Sequence, residues 1–250
     1  MKRIYHCVAY WVSWALFGIG GLVVNLAFLP LYLLPESEGR ARFVRTTLST
    51  LFRIYIRILD TLDTMRLVWT GFDGPLPPRT IYVANHPGLL DAPILISRLR
   101  DAVCVFKPKL LRNPATGPVA VLAGYASGGG GIDAVRDSAA RVAAGRSLVI
   151  FPEGTRTAPD AVLQPIQAGF ALIAARAQAP VQLIVFRATK GMTTRGQPWW
   201  KVPAAMPTRM QITLDRRWEH DPQRPAARLA LEVEQRLREV LSTPSPFADR

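Results

Sequence analysis

From Ile4 to Pro35 the chain carries no Asp, Glu, Lys or Arg. A helix needs roughly 20 apolar residues to span a bilayer, and this stretch exceeds that. It is also longer than the apolar core of a secretory signal and lacks a small-residue cleavage site, so a retained anchor is expected. Two forms fit: a single tilted span, or a two-helix element held in one leaflet, with Gly18, Gly20, Gly21 and Pro30 permitting the bend. Tyr5, Tyr10, Trp11 and Trp14 cluster at one end and Tyr32 lies near the other. Aromatic rings favour the headgroup level.

The pattern then turns amphipathic. At about 100° per residue, Arg42, Arg45, Ser49, Arg53, Arg57 and Asp60 fall on one stripe, with Leu48, Leu51, Phe52, Tyr55, Ile58 and Leu59 facing away. A basic amphipathic helix of this kind suits an anionic membrane surface; the same pattern also suits a helix packed on the following domain.

After Leu67 short apolar runs alternate with helical periodicity. Strands are expected at Arg66–Thr70, Thr80–Ala84, Ala102–Phe106, Ser147–Phe151, Val181–Arg187 and Arg209–Leu214. Helices are expected at Asp91–Leu99, Asp133–Ala144, Gln167–Gln178 and Arg224–Leu241. The alternation predicts an α/β fold: a mixed, mostly parallel sheet flanked by helices, with an N-terminal membrane-embedded helical anchor. The expected organisation is an anchor and basic helix over 1–64, a catalytic domain over 65–241 and a loose tail over 242–250.

Charge sharpens the picture. The 250 residues contain 31 Lys and Arg against 18 Asp and Glu, a net charge of +13, and 49% are hydrophobic. Such a balance suits an anionic partner. No zinc-finger spacing, basic repeat or aromatic RNA-binding signature is present, so a nucleic-acid partner is not expected. The apolar N-terminus favours anionic lipid instead. Lys2 and Arg3 before the anchor, and Arg40, Arg42 and Arg45 after it, give a slight positive-inside bias towards a cytoplasmic catalytic domain. Cys7 and Cys104 form no disulfide framework and read as apolar filler.

The first candidate chemistry is Asn85-His86-Pro87-Gly88-Leu89-Leu90-Asp91, at the end of the strand Thr80–Ala84. In open α/β sheets ligands gather where strands end and helices begin. Histidine titrates near neutral pH and suits removal of a proton from an alcohol. A carboxylate five positions later can turn back onto the other ring nitrogen and hold the tautomer. No Ser or Cys nucleophile adjoins the pair, so direct attack by a substrate hydroxyl is the simplest chemistry. A metal site is not expected, since the other histidines are His6, in the anchor, and His220, far along the chain.

The second is Phe151-Pro152-Glu153-Gly154-Thr155-Arg156. Gly154 lets backbone approach a ligand, Arg156 offers a fork for phosphate, and Glu153 can orient the loop or its arginine. Together, in this order and about 65 residues apart, the two segments resemble the glycerolipid acyltransferase family. That family includes 1-acyl-sn-glycerol-3-phosphate acyltransferases and other lysophospholipid acyltransferases. Its motifs Asn-His-x-x-x-x-Asp and Phe-Pro-Glu-Gly-Thr-Arg both stand here complete, and the resemblance covers roughly Leu67 to Arg187.

The resemblance implies a catalytic dyad of His86 and Asp91, and acceptor-phosphate binding through Glu153, Gly154, Thr155 and Arg156. Lys107, leading the segment Lys107–Pro114 that is followed by Gly117, matches a lysine that lies near the substrate in the family. No metal or other cofactor is implied. The implied reaction is acyl transfer to a lysophospholipid hydroxyl from acyl-CoA or acyl-carrier protein, at a bacterial inner membrane. One departure concerns the acceptor: where the family often carries Phe-Ile-Asp-Arg, this chain has Gly131-Ile132-Asp133-Ala134. A different acceptor, such as an aryl-polyene or another lipid alcohol, and a non-catalytic lipid-binding relative are the alternatives.

Overall fold

The computed structural model describes residues 2–106, 112–114, 116–127, 131–192, 194–244 and 247. Helix α1 (Lys2–Phe28) leads into a short 3-10 turn (Leu29–Leu33) and then α2 (Glu38–Thr61), capped by the Ser37 side chain. There follow β1 (Met65–Thr70), β2 (Ile81–Ala84), α3 (Asp91–Arg98), β3 (Ala102–Phe106), α4 (Gly117–Leu122) and β4 (Ala126–Ser127). The chain closes with α5 (Gly131–Ala143), β5 (Ser147–Ile150), α6 (Gly169–Ala177), β6 (Val181–Ala188), β7 (Thr208–Trp218) and α7 (Ala226–Ser242). Every expected strand and helix is present within a few residues, except that β7 is longer than expected. The short α4 and β4 are additions, too brief to leave a period in the sequence.

The sheet has seven strands in the order β1-β7-β6-β2-β5-β3-β4. All neighbours are parallel except β6 and β7. From β2 the chain steps outward to β3 and β4, then back to β5 and β6. Right-handed crossovers in opposite directions put helices on opposite faces. Accordingly α3 and α4 share a layer with α1 and α2, while α5, α6 and α7 pack together as the other layer. The inner strands are buried on both faces, which is why β2 and most of β6 read as unbroken apolar runs.

The N-terminal helix does not stand apart from the domain. Ala9, Tyr10, Ser13 and Asn25 are buried. The Tyr10 hydroxyl donates to the Trp199 carbonyl at 2.6 Å, the Tyr55 hydroxyl to the Ser13 carbonyl at 3.2 Å, and the Val119 amide to Asn25 Oδ1 at 2.8 Å. These contacts extend from Tyr10 to Asn25, about 22 Å of helix at 1.5 Å per residue, so α1 lies along the protein. Its other face is apolar and open: Ile4, Val8, Ile19, Val23 and Leu26 are exposed. It is one helix long and apolar enough to cross a membrane, and little of it is buried.

In α2 the basic stripe does not face outward as a unit. Arg45 is 1% exposed, paired with Asp101 and Glu38 and donating to the Ala123 carbonyl. Arg53 donates to the Ser97 carbonyl. Arg42, Arg57 and Asp60 of the stripe are exposed, but so are the apolar Phe43, Leu51 and Ile54. A buried arginine is tolerated because carboxylates and a carbonyl replace its water. Cys104 is buried in β3, and burial pushes its thiol up to about 12; neither cysteine is in a disulfide.

Candidate active site

The register of β2 against β5 explains how two distant segments meet. Val83 pairs with Ile150 in parallel, so three residues later along each chain His86 comes beside Glu153. The contact follows: the His86 amide donates to Glu153 Oε1 at 2.7 Å, and the Thr157 amide donates to the His86 carbonyl at 2.8 Å. From these strand ends the chain leaves to opposite layers, through α3 and α6, which opens the crevice where ligands bind in such sheets.

Asn85 fixes the other side of the turn. Its side-chain amide donates to the Phe186 carbonyl at 2.9 Å and its oxygen accepts from the Phe186 amide at 2.8 Å. The end of β2 is thereby stapled to β6 and, through Glu153, to the loop after β5. His86 follows directly, so its backbone has little freedom.

The ring is held as firmly. Its Nδ1 lies 2.8 Å from Asp91 Oδ2, and the Gly88 amide donates to the same oxygen at 2.7 Å. One ring face stacks on Phe151, with centroids 4.2 Å apart and planes 24° apart. The side chain is 21% exposed, and Nε2 has no partner among the described residues. Asp91 is fully buried as the first residue of α3. Burial pushes its carboxyl above the ordinary value, while the bonds from His86 and Gly88 favour the charged form. The N-terminal end of a helix adds further support for a carboxylate.

Glu153 is almost fully buried and its carboxylate is occupied. Besides the His86 amide it accepts from the Thr157 hydroxyl, at 3.0 and 2.8 Å, and from the Gln164 amide at 2.9 Å. Gly154 takes φ +62, and a Cβ there would approach Gln167 Nε2 to 3.0 Å. Thr155 and Arg156 are half-buried beyond it. Lys107 lies outside the described residues. Ala134 is on α5, and exposed Arg136 of that helix pairs with Asp133 at 3.7 Å. Among the described residues no group of three or more His, Cys, Asp or Glu is placed to hold a metal ion.

Asn85, Phe151, Thr157 and Gln164 are site residues that pattern reasoning did not assign. Asn85 and Phe151 stood inside the quoted motifs, and that was their only signal. The pair His86 and Asp91 can hold an imidazole in one tautomer, with Nε2 directed to a substrate proton. With Asp91 behind it the ring can accept that proton and be stabilised as the imidazolium.

The Acyltransferase family model matches residues 73–187. Among solved structures the chain is similar to the crystal structure of the 1-acyl-sn-glycerophosphate (LPA) acyltransferase, PlsC, from Thermotoga maritima. The two share 18% identity at a TM-score of 0.71, over 98% of this chain and 100% of the other. At that identity the likeness concerns the fold. No curated protein sequence matches the chain.

Proposed function

We propose that this chain, whose residues 73–187 match the Acyltransferase family model, moves a fatty acyl group from acyl-CoA or acyl-carrier protein to a hydroxyl of a lysophospholipid such as lysophosphatidic acid. The observation that carries the reading is the His86–Asp91 contact at 2.8 Å, with Nε2 left open at the end of β2. Nε2 takes the proton of the acceptor hydroxyl as its oxygen attacks the thioester carbon. The C–O bond forms, the C–S bond breaks, and the imidazolium returns its proton to the departing thiolate. Asp91 stays ionised and stabilises the imidazolium. Glu153 holds the His86 turn, while Arg156, with Gly154 and Thr155 shaping its loop, and Lys107 bind the acceptor's phosphate.

The membrane-bound part of the reading rests on the open apolar face of α1. Its packing along the domain favours embedding in one leaflet over a free span, with the exposed Phe43, Leu51 and Ile54 of α2 beside it. Anionic lipid would attract the net positive chain, at a bacterial inner membrane with the catalytic domain on the cytoplasmic face. A second reading, transfer to another lipid alcohol, rests on Ala134 standing where the family often has arginine.

Labelled acyl transfer by membranes containing the chain, tested with lysophosphatidic acid and with neutral lipid alcohols, separates the two. His86→Ala and Asp91→Asn should each lower transfer about 10²–10⁴-fold while membrane association is retained. Near-normal transfer by His86→Ala would refute the mechanism.

A further inference from the structure

Between β6 and β7 the described residues 189–192 and 194–207 return across the turn that carries His86. Thr194 forms an antiparallel bridge with Gly88, two residues beyond His86. The segment is tied down at its start: the Gly191 amide donates to Thr194 Oγ1 at 2.9 Å, and the Met192 amide to Thr208 Oγ1 at 3.0 Å. The fit at Gly191 is close, since a Cβ there would lie 2.1 Å from Thr208 Oγ1. The next side chain, Arg195, reaches the other motif: its Nη1 donates to the Arg156 carbonyl at 2.9 Å.

This places a half-buried guanidinium against the loop that carries Arg156 and beside the turn that carries His86. One of its five N–H donors meets that carbonyl, and no carboxylate pairs with it among the described residues. A partly desolvated cation without a counterion is costly unless an anion completes it. The planar fork suits a phosphate in particular. Further along, the same segment reaches α1: the Trp199 carbonyl accepts from Tyr10, and the Trp199 ring lies edge-on to Trp11 at 6.1 Å. Trp199 and Trp200 are exposed there. The segment therefore joins the apolar face of α1 to the site.

We propose that Arg195 is a binding residue for the acceptor, contacting the phosphate of a lysophospholipid whose hydroxyl lies at His86. The proposal rests on the acyl-transfer reading above. The acceptor is favoured over the donor by the size of the molecules. In lysophosphatidic acid, phosphate and reacting hydroxyl are separated by a few bonds, whereas the phosphates of an acyl-CoA lie a whole pantetheine arm from the thioester.

The test uses the full chain in mixed micelles, with lysophosphatidic acid and monoacylglycerol as acceptors and acyl-CoA as donor. Arg195→Ala should raise KM for lysophosphatidic acid about tenfold, the size of one charge-assisted hydrogen bond. KM for monoacylglycerol and for the donor should stay within about twofold, and Arg195→Lys should recover part of the loss. An equal rise for both acceptors would mean that Arg195 only ties the segment to Arg156, and would overturn the proposal. A rise confined to the donor, or no change, would overturn it as well. Each of these leaves the acyl-transfer reading standing if wild type still acylates lysophosphatidic acid. Transfer by wild type to neither acceptor would sink both.

Discussion

The main-chain amide of His86 donates to a carboxylate oxygen of Glu153 at 2.7 Å, joining two segments 67 residues apart. The same carboxylate gathers Thr157 and Gln164, and Thr157 returns a bond to the His86 carbonyl. A buried carboxylate filled by protein donors would repel a phosphate, and we propose that Glu153 acts through His86. A positioning role for Glu153 thus stands beside the expected contact with the acceptor's phosphate.

Glu153→Gln tests that role. Its amide can offer an oxygen to the His86 amide, but its NH2 then meets the Gln164 amide, donor against donor. The expected result is a loss of about 1–3 kcal/mol of stability and a fall in kcat, with acceptor KM changing little. Denaturant unfolding and steady-state kinetics measure the two. A large rise in acceptor KM with kcat unchanged would favour the phosphate contact instead.

Helix α1 offers a second test, because its two faces do different work. Leu22 and Leu26 are 45% and 65% exposed, on the open face, while Tyr10 is fully buried. The double variant Leu22→Glu with Leu26→Glu should keep its unfolding midpoint and lose most of its partition to anionic vesicles. Tyr10→Ala should instead destabilise the protein by about 3 kcal/mol or more, through a lost aromatic ring and the orphaned Trp199 carbonyl. Vesicle sedimentation and thermal unfolding, run side by side, would show whether the faces separate in this way.

A pH test concerns the far side of the sheet. Arg236 of α7 binds Asp215 of β7 through two bonds, both 2.8 Å, and the pairing holds the Asp215 carboxyl below its ordinary value. The unfolded chain therefore takes up that proton at higher pH than the native one. The bridge contributes stability above about pH 4, the ordinary carboxylate range, and loses it as pH falls through the native value. Arg236→Met should cost about 1 kcal/mol at pH 7 and flatten the loss of stability below about pH 4. An identical acid profile in wild type and variant would show that the pair does not govern it.

Much of this molecule was legible in advance, for definite reasons. The strands and helices were readable because apolar runs and helical stripes record which residues leave water. His86 and Asp91 were readable because five residues suffice for a carboxylate to turn back on a ring across one tight turn. The outcome for α2 shows the limit of a period. A stripe says which residues share a face and not what that face meets: Arg45 went inward because Asp101, on another segment, and Glu38, at the start of α2 itself, supply its counter-charges.

Taken alone, the sequence determined the elements, the long apolar N-terminal helix and the contact of His86 with Asp91, all of which depend on neighbours along the chain. The tertiary structure decided what those pieces do to one another. It set β2 beside β5 in parallel, so that His86 meets Glu153 three residues beyond the paired strands. It laid α1 along the domain, and it brought Arg195 to the Arg156 carbonyl. Local pattern is written by which side chains avoid water; partners far apart in the chain are chosen only when the sheet order closes and each buried donor must find an acceptor.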